Sequence, residues 1–308
     1  MDKVIGVVIV TFNRLPKLIK TLKAYSEQTL FPKYIIVVNN ASSDNTDSFL
    51  AEWMQRKESF CKYVINLPKN VGGSGGFYAG QKKALELDAE WIMLADDDAY
   101  PSPNYIEGMQ QYIQGHKLQE ISAICGSVLE RNRDGLNNFH RGYLKNLWSI
   151  NYRSRMSEAD YREKSVEIDC ISYVGIVINI QKMREVGLVE KDYFIWNDDI
   201  EHCIRLRKVG KLICIPQYII NHDCDAEHMT LSWKTYYGWR NQINMFKRHF
   251  FIQFLFITSV LFLKTCLLPL KGNRFVEMRL RFTAIKDGVL GNLGISKIYK
   301  PGWKPYGR

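Results

Sequence analysis

The sequence has no CxxC cysteine pair, and its first residues are not expected to form a secretory leader. Its seven cysteines lie singly at positions 61, 125, 170, 203, 214, 224 and 266. An odd number without a disulfide framework is typical of a reducing compartment. The apolar run at residues 4–10 is short and lacks a basic leader and a small-residue cleavage site, so it predicts a strand rather than a signal peptide. We therefore expect the functional site to face the cytosol.

The sequence also lacks internal repeats, low-complexity linkers and the composition of a disordered chain. Of its 308 residues, 46% are hydrophobic, whereas disordered chains combine low hydrophobicity with high net charge. This length is sufficient for one large α/β domain, or for one domain with an appendage.

A long uninterrupted apolar segment is missing as well. Residues 250–270 are strongly apolar, but Gln253, Lys264 and Pro269 interrupt them, and a membrane-spanning helix needs about 20 apolar residues with few or no charges. Residues 271–308 carry nine Lys or Arg against two acidic residues, a local net charge of +7 in a chain of +10. An apolar helix beside a basic cluster favours attachment to an anionic membrane surface. A buried C-terminal helix and a true span are the alternatives.

Strand-like and helix-like segments alternate through the first hundred residues. Apolar, β-rich runs predict strands, and segments with apolar residues at helical spacing follow them. The predicted strands are 4–12, 34–40, 62–67 and 90–100, and the predicted helices are 15–29, 42–55 and 77–89. This order predicts an α/β fold with a parallel sheet flanked by helices. From about 105 to 165 the pattern weakens, and strands are predicted again at 171–180 and before His222.

Polar clusters follow these strands, at 11–14, 39–44, 70–76 and 96–98. Ligands of parallel α/β sheets bind beyond the carboxyl ends of the strands, so we expect the clusters to form one site. The glycine-rich stretch NVGGSGGF is neither GxGxxG nor a Walker A motif, because no Lys-Ser or Lys-Thr follows it. It comes after a strand and opens a helix, which suits amides facing a ligand and a backbone that passes close to a nucleotide.

Asp96, Asp97 and Asp98 close an apolar strand. Alternation along the strand places the first and third carboxylates on one side and the second on the other. Adjacent carboxylates repel one another unless a cation or hydrogen-bond donors compensate, and two on one side could hold Mg²⁺ or Mn²⁺. The alternative is a solvated acidic turn that caps a helix near Pro101. His222 could complete a metal site with two aspartates, although a lone histidine here is more often structural.

A second acidic cluster opens a predicted helix behind three aromatic residues. The acidic residues are Asp198, Asp199 and Glu201, and the aromatic residues are Tyr193, Phe194 and Trp196. Carboxylates at a helix N-terminus are favourable for dipole reasons alone. Aromatic rings beside a carboxylate also suit a sugar site, where a ring stacks on the sugar and the carboxylate accepts a hydroxyl proton. Glu201 and Arg205 are spaced i,i+4, which predicts a structural ion pair.

Taken together, these motifs resemble the GT-A nucleotide-sugar glycosyltransferases of family 2. The matching segments extend from residue 5 to about 295: VVIVTFNR, VVNNASSDNT, NVGGSGGF, LADDDAYP, VG…YFIWNDDIEHCIRLRKVG…IPQYIINHD and YYGWRNQINMFKRH. Each is weak alone, and their order and spacing make the match specific. NVGGSGGF with DDD and FIWNDDIE is most similar to the galactofuranosyltransferase branch, and rhamnosyltransferases of bacterial surface polysaccharides share much of the pattern.

The resemblance implies roles for individual residues. The donor nucleotide sugar would be bound by Thr11, Phe12, Asn13, Arg14, Asn40, Asp44, Asn70, Gly72, Gly73, Gly75, Gly76, Asp96 and Asp97. Asp96 and Asp98 match the DxD element that holds a Mn²⁺ or Mg²⁺ ion on the diphosphate, and His222 matches the histidine that often completes this metal site. Asp199 matches the inverting general base, and the acceptor would contact Trp196, Asp198 and Tyr193.

The implied reaction is transfer of a sugar with inversion, best matched by galactofuranose from UDP-galactofuranose, with rhamnose from dTDP-rhamnose as the alternative. The family often has Asp at the position of Asn39, where it helps to read uracil; an amide both donates and accepts, so uracil still fits. A sugar nucleotidyltransferase and a non-enzymatic basic membrane adaptor are the rival classes. The first would not need Trp196 and Asp199 together, and the second leaves both acidic clusters unused.

For the whole chain we expect a catalytic domain at 1–235 and an apolar, basic helical extension at 236–308. The nucleotide-binding half would be about 1–100 and the acceptor half about 101–235. The expected acceptor is a growing glycan on a lipid diphosphate carrier, at an anionic membrane surface on the cytoplasmic face of the bacterial inner membrane. No nucleic acid partner is expected, and the C-terminal helices could pack between the subunits of a homo-oligomer.

Overall fold

A computed structural model describes residues 3–116, 118–130, 140–224, 231–272 and 274–305, so part of the predicted basic tail lies outside the described residues. The strands are β1 Ile5–Thr11, β2 Tyr34–Asn39, β3 Cys61–Asn66, β4 Trp91–Asp96, β5 Ala99–Pro101, β6 Ile121–Glu130, β7 Arg141–Leu144, β8 Arg153–Arg155, β9 Val166–Ile168, β10 Cys170–Ile171, β11 Ile176–Asn179 and β12 Lys211–His222. The helices are α1 Leu15–Ser26, α2 Thr46–Gln55, α3 Gly72–Ala84, α4 Tyr105–Gln114, α5 Ile180–Val186, α6 Asp198–Leu206, α7 Trp233–His249, α8 Phe251–Cys266 and α9 Phe275–Leu290.

The core is a nine-stranded sheet with the order β3-β2-β1-β4-β11-β6-β12-β5, to which β9 adds by pairing with β12. Strands β1 to β4 pair in parallel, and β6 pairs in parallel with β12. Strand β11 runs antiparallel to both β4 and β6 and joins the two parallel blocks. Every residue of β1 and β2 is buried, as expected of parallel strands covered on both faces. The predicted α/β fold with a mostly parallel sheet is confirmed.

The glycine-rich stretch lies inside helix α3 rather than before it. The sequence pattern predicts a helix from residue 77, whereas α3 begins at Gly72. The glycines allow the helix to lie directly on the sheet: a Cβ at Gly76 would come within 2.5 Å of Val10, and one at Gly80 within 2.2 Å of Val8. Apolar periodicity cannot find this helix start, because glycine contributes no apolar side chain to the pattern.

A small second sheet has the strand order β10-β7-β8. Strands β7 and β8 pair antiparallel, and the connection between them carries Trp148, whose side chain is 51% exposed. The Trp148 ring packs edge-on against Phe256 of α8, with 5.6 Å between the ring centroids. This sheet therefore links the acceptor half to the C-terminal helices.

The C-terminal helices pack against the sheet domain. The predicted boundary between residues 235 and 236 falls inside α7, whose Tyr237 is fully buried in an aromatic cluster with Phe194. The inner face of α8 buries Phe254, Ile257 and Leu261. These buried side chains hold α7 and α8 against the rest of the protein.

The outer face of α8 is apolar and exposed. Its exposed side chains are Phe251, Ile252, Leu255, Phe256, Phe262 and Leu263, with fractional exposures of 47–67%. The buried C-terminal helix, one of the sequence-based alternatives, therefore describes only the inner face of α8. Within the described residues, no helix combines the length and the apolar character that a membrane span requires.

The packing of α3 can be tested with two glycine substitutions. We expect Gly80→Ala to lower the free energy of unfolding by about 1–3 kcal/mol, because the added methyl overlaps a buried valine. Gly73→Ala is the matched control, since its Cβ would meet no described atom within 4 Å. Alanine's helix propensity should leave that variant as stable as the wild type or more stable by up to about 1 kcal/mol. Urea unfolding measures both, and equal losses of stability would contradict the close packing.

Candidate active site

The Asp96–Asp98 carboxylates face the turn that follows β1. Strands β1 and β4 pair in parallel with Val10 opposite Asp96, so the two strands end side by side. Thr11 Oγ1 donates to Asp97 Oδ2 at 2.7 Å. Arg14 Nη1 donates to Asp97 Oδ1 at 3.2 Å and to Asp98 Oδ2 at 2.8 Å. Arg14 therefore compensates part of the charge that adjacent carboxylates create.

These carboxylates are withdrawn from water. Asp97 and Asp98 are each 3% exposed, so the solvated acidic turn proposed as an alternative is wrong. Burial raises the pKa of Asp97 to about 6, although Arg14 opposes the rise. Burial and the neighbouring Asp98 raise the pKa of Asp96. Burial acts in the same direction on Asp98, but His222 and Arg14 hold its pKa below the usual value.

His222 lies beside the acidic strand end, because β12 pairs antiparallel with β5 and places His222 opposite Ala99. Its Nε2 is 3.4 Å from Asp98 Oδ1. One ligand atom each from Asp96, Asp98 and His222 lie within 4.8 Å of one another. Asp98 Oδ1 is buried and has no hydrogen-bond partner among the described residues. Two carboxylates, one of them with this unpaired buried oxygen, and the nearby Nε2 of an imidazole fit Mn²⁺ or Mg²⁺.

Sequence reasoning missed a second layer behind His222. Glu130 Oε1 lies 4.0 Å from His222 Nδ1, and His140 Nε2 lies 3.4 Å from the same oxygen. The rings of His140 and His222 meet edge-on with centroids 5.0 Å apart. Cys224 also lies close to Glu130 and His222. No local motif could have found this layer, because β6 and β12 become neighbours only in the folded sheet.

The predicted nucleoside residues lie at the ends of β1 and β2. Buried Asn40 accepts from Val71 N at 2.9 Å and donates to Gly72 O at 3.0 Å, which ties β2 to the start of α3. Asn70 Oδ1 accepts from Gly72 N at 2.8 Å. Asn13 and Asp44 are exposed and brace the neighbouring turns. Asn13 Oδ1 accepts from Ser43 N at 2.7 Å, and Asp44 accepts from Thr46 N at 3.1 Å.

Two further side chains, Phe12 and Asn39, lie at the ends of the same strands. Phe12 is 39% exposed and presents a flat apolar ring. Asn39 is buried, donates to the Asp47 carboxylate and accepts from Ser42 N at 3.0 Å. Asn39 therefore uses both its amide nitrogen and its amide oxygen on partners within the protein.

The predicted donor-binding glycines have different surroundings. Gly76 packs on Val10 and Gly75 on Val71, so neither lines an open space, whereas a Cβ at Gly73 would meet nothing within 4 Å. Gly72 has φ +77° and would place a Cβ 2.0 Å from the carbonyl oxygen of Phe194. The same oxygen accepts from Ser74 N at 3.3 Å. The glycine run therefore lets α3 pack closely against the sheet and the Phe194 carbonyl. That these glycines also pass beside the donor stays a prediction.

The segment 192–197, here called the acceptor loop, has an unusual backbone. Phe194, Trp196 and Asn197 have φ of 67°, 64° and 64°. Ile195 N donates to Tyr193 O at 2.8 Å, and Phe194 has ψ −56°, so the turn is the rare γ-turn with positive φ at its centre. Such conformations cost about 1–3 kcal/mol each and persist only where surrounding contacts impose them.

The acceptor loop ends at the carboxylate pair Asp198 and Asp199, in the first turn of α6. Burial raises the pKa of both carboxyls; Asp199 adds to the rise at Asp198, and Arg153 opposes the rise at Asp199. A carboxylate whose pKa moves toward neutrality is a stronger base. Asp199 Oδ1 accepts from Ile200 N at 2.7 Å, which orients the side chain.

The aromatic residues of the acceptor loop divide into two kinds. Trp196 is 42% exposed, and a Cβ at Gly238 would lie 2.9 Å from its ring, so the ring rests on α7. Tyr193 is fully buried, and its hydroxyl donates to Asn244 Oδ1 at 3.1 Å. The prediction that Tyr193 contacts the acceptor is therefore wrong for its side chain, which packs against α7.

Glu201 is structural, as its spacing from Arg205 predicts. The Arg205 guanidinium donates to its carboxylate at 2.8 Å, and His249 Nε2 lies 2.8 Å from Glu201 Oε1. Burial alone would raise the pKa of Glu201, but these two partners lower it to about 2. The ionised carboxylate links α6 to the end of α7.

Comparison with known sequences finds family relatives. The model of glycosyl transferase family 2 matches residues 6–175. Galactofuranosyltransferase GlfT1 of Mycolicibacterium smegmatis is 35% identical over 214 residues, which cover 68% of this chain and 67% of the relative. dTDP-rhamnosyl transferase RfbF of Shigella flexneri is 23% identical over 309 residues, and this match covers 96% of this chain and 98% of the relative. The uncharacterized glycosyltransferase YwdF of Bacillus subtilis is 37% identical over 128 residues; the match covers 42% of this chain but only 45% of that relative.

Solved structures show the same fold at low identity. GalNAc-T7 with UDP, GalNAc and Mn²⁺ superposes with a TM-score of 0.62 at 16% identity, covering 80% of this chain and 48% of that chain. S. aureus TarS in complex with UDP-GlcNAc superposes with a TM-score of 0.56 at 14% identity, and the match covers 94% of this chain and 81% of that chain. The mixed α/β architecture thus matches GT-A glycosyltransferases. With the family model matching more than half of its length, the chain belongs to glycosyl transferase family 2.

Proposed function

We propose that the protein is an inverting, metal-dependent galactofuranosyltransferase that transfers galactofuranose from UDP-galactofuranose to a lipid-linked surface glycan. The observation that carries the proposal is the position of α3 between two acidic centres. Its first turn is held by Asn40 on the donor side and by the Phe194 carbonyl on the acceptor side. A donor bound at Asp96–Asp98 would therefore lie next to an acceptor bound at Asp198–Asp199.

On the donor side, Asp96, Asp98 and His222 would hold Mn²⁺ or Mg²⁺, which when bound supplies positive charge to the leaving diphosphate. Arg14 and Lys17 add side-chain cations at the same edge, with Lys17 Nζ 3.7 Å from Asp98 Oδ2. Preorganised charges of this kind stabilise a leaving group without reorganisation during the reaction. Glu130 lies on the Nδ1 side of His222 and would keep the opposite nitrogen directed at the ion.

On the acceptor side, Asp199 would accept the proton of the attacking hydroxyl. The oxygen then bonds to the anomeric carbon on the face opposite the diphosphate, which leaves with the bonding electrons, so the configuration inverts in one displacement. Trp196 would stack on the acceptor sugar, and Asp198 would bind one of its hydroxyl groups. The raised pKa of Asp199 suits this role, because a general base works best when its pKa approaches the working pH.

Two relatives bear on the donor. The M. smegmatis relative is named a galactofuranosyltransferase and shares 35% identity over two thirds of its length. The Shigella relative is named a dTDP-rhamnosyl transferase and aligns over 98% of its length at 23% identity. The higher identity and the NVGGSGGF motif favour galactofuranose. The full-length alignment keeps rhamnose from dTDP-rhamnose as the second candidate.

The proposed acceptor sits on a membrane-bound lipid diphosphate, and the enzyme would bind the cytoplasmic face of the bacterial inner membrane. The support is the exposed apolar face of α8, which carries Ile252 at 67% and Leu263 at 62% exposure. The C-terminal segment adds basic charge, and apolar helices beside basic residues bind anionic lipid surfaces. Phe256 on this face touches Trp148 of the second sheet, so the same surface continues toward the acceptor half.

The reaction is tested by a donor screen. Purified protein with Mn²⁺ and a bacterial membrane lipid extract should release nucleoside diphosphate fastest from UDP-galactofuranose, compared with UDP-galactopyranose, UDP-glucose and dTDP-rhamnose. Chelation with EDTA should abolish release, and added Mn²⁺ should restore it. Fastest release from dTDP-rhamnose would replace the donor assignment, and release of pyrophosphate would indicate a nucleotidyltransferase. Activity that persists in EDTA would overturn the metal assignment.

The general base is tested by Asp199→Asn. We expect transfer to fall by about 10²–10⁴-fold, the usual contribution of general base catalysis, while the dissociation constant of UDP, measured by titration calorimetry, stays unchanged. Asp192→Asn is the matched control, because Asp192 is an exposed residue of the same loop and loses the same charge. It should retain wild-type turnover. An Asp199→Asn enzyme that kept more than a few per cent of wild-type turnover would disprove the assignment.

Membrane attachment is tested by charge substitution on α8. Wild-type protein should co-sediment with vesicles of equal parts phosphatidylcholine and phosphatidylglycerol. The double variant Ile252→Asp and Leu263→Asp should bind at least about 100-fold more weakly, because each buried aliphatic side chain contributes about 1.5–3 kcal/mol. Ile19→Asp, at an apolar residue of α1 that is 42% exposed, should bind as the wild type does. Wild-type protein that stays in the supernatant would refute the proposal.

A further inference from the structure

Helix α7 contacts the acceptor loop through two adjacent buried residues of the WRN sequence, Arg240 and Asn241, each 0% exposed. Asn241 Nδ2 donates to three backbone carbonyls of the loop: Tyr193 O at 2.9 Å, Ile195 O at 2.9 Å and Trp196 O at 2.8 Å. An amide NH₂ has only two hydrogens, so one hydrogen is shared between two of these carbonyls. A single side chain thus gathers the carbonyls of one tight turn.

Arg240 fixes the orientation of that amide. Arg240 Nε donates to Asn241 Oδ1 at 2.9 Å, so the amide oxygen faces the guanidinium and the nitrogen faces the loop. Arg240 Nη2 also donates to Asp192 O at 3.1 Å and to Tyr193 O at 3.0 Å. A flipped Asn241 amide would place its oxygen against three carbonyl oxygens. It would lose the three bonds to the loop and the bond from Arg240 Nε.

The acceptor loop needs such external support. A segment with positive φ at Phe194, Trp196 and Asn197 cannot join a regular helix or sheet ladder, so its carbonyls need partners from elsewhere. The loop leads directly into the first turn of α6. Asn197 Nδ2 donates to Gly238 O at 3.0 Å, and Asn197 O accepts from Glu201 N at 3.0 Å. Bonds from α7 therefore continue into the turn that carries Asp199.

We propose that Asn241 is a positioning residue for sugar transfer: with Arg240, it holds the acceptor loop in its left-handed conformation and thereby fixes the placement of Trp196 and Asp199. The inference rests on the proposed function for the role of Asp199. The geometric part rests only on the contacts of α7. Asn241 itself touches neither the donor edge nor the exposed face of Trp196.

The geometric part is tested by hydrogen–deuterium exchange on the full-length Asn241→Asp variant. This substitution keeps the shape of the side chain and the bond from Arg240 but removes the donors to the three carbonyls. We expect the amides of Ser74, Ile195 and Glu201, which bond within or onto the loop, to exchange at least about tenfold faster. The amides of β1 should keep wild-type protection, which verifies the fold. Asn241→Ala is the second variant and should give the same pattern.

The matched control is Gln242→Ala, which removes a neighbouring α7 amide that donates to Ile150 O at 2.9 Å and does not contact the acceptor loop. Its loop amides should exchange as in the wild type. Wild-type exchange at Ser74, Ile195 and Glu201 in both Asn241 variants would overturn the inference. So would equal acceleration in Gln242→Ala.

The catalytic part uses the donor that the wild type turns over in the screen. For Asn241→Asp, kcat should fall about 100-fold, since a misplacement of about 1 Å has effects of that size, while the dissociation constant of UDP stays unchanged. Retention of more than a third of wild-type kcat with an accelerated loop would overturn the positioning role. If the wild type turns over none of the donors, the proposed function fails, and hydrogen exchange still decides whether Asn241 holds the loop.

Discussion

Three consecutive carboxylates, two of them almost removed from water, impose the main physical constraint on this structure. Isolated buried charges cost several kcal/mol each, so the chain surrounds Asp96–Asp98 with compensating groups. Arg14 reaches them from the turn after β1, and His222 reaches them from the far end of β12. The parallel pairing of β1 with β4 and the antiparallel pairing of β12 with β5 are what bring these groups together. The proposed donor site is thus a consequence of the strand order of the sheet.

On the proposed acceptor side the main constraint is a different one, the strained backbone of residues 192–197. Contacts from two directions hold it: α3 approaches the Phe194 carbonyl, and α7 supplies Arg240 and Asn241. The C-terminal segment, which the sequence predicts to be an extension, therefore packs directly against the acceptor loop. The same segment continues into α8 with its exposed apolar face. The contacts with the acceptor loop and the proposed membrane contact therefore lie on two consecutive helices, α7 and α8.

The glycine-rich stretch is a local sequence motif whose glycines are also required by tertiary packing. Its sequence predicts a backbone that passes close to a nucleotide, and this stays a prediction. The structure shows close approaches of Gly76 to Val10 of the sheet and of Gly72 to the carbonyl of Phe194. Glycine at these positions is required because any Cβ would overlap atoms that the rest of the fold has already placed. Gly73 differs, since it has open space.

The sequence by itself determined the α/β class, the first four parallel strands and the Glu201–Arg205 pair, because hydrophobic periodicity and i,i+4 spacing are local properties. The ordered motifs also indicated the family. Only the tertiary structure decided that His222 reaches Asp98, that Glu130 and His140 lie behind it, that Tyr193 is buried, and that Asn241 supports the acceptor loop. Each of these contacts joins residues from separate elements, and their partners follow from sheet order and helix packing, which no local pattern encodes.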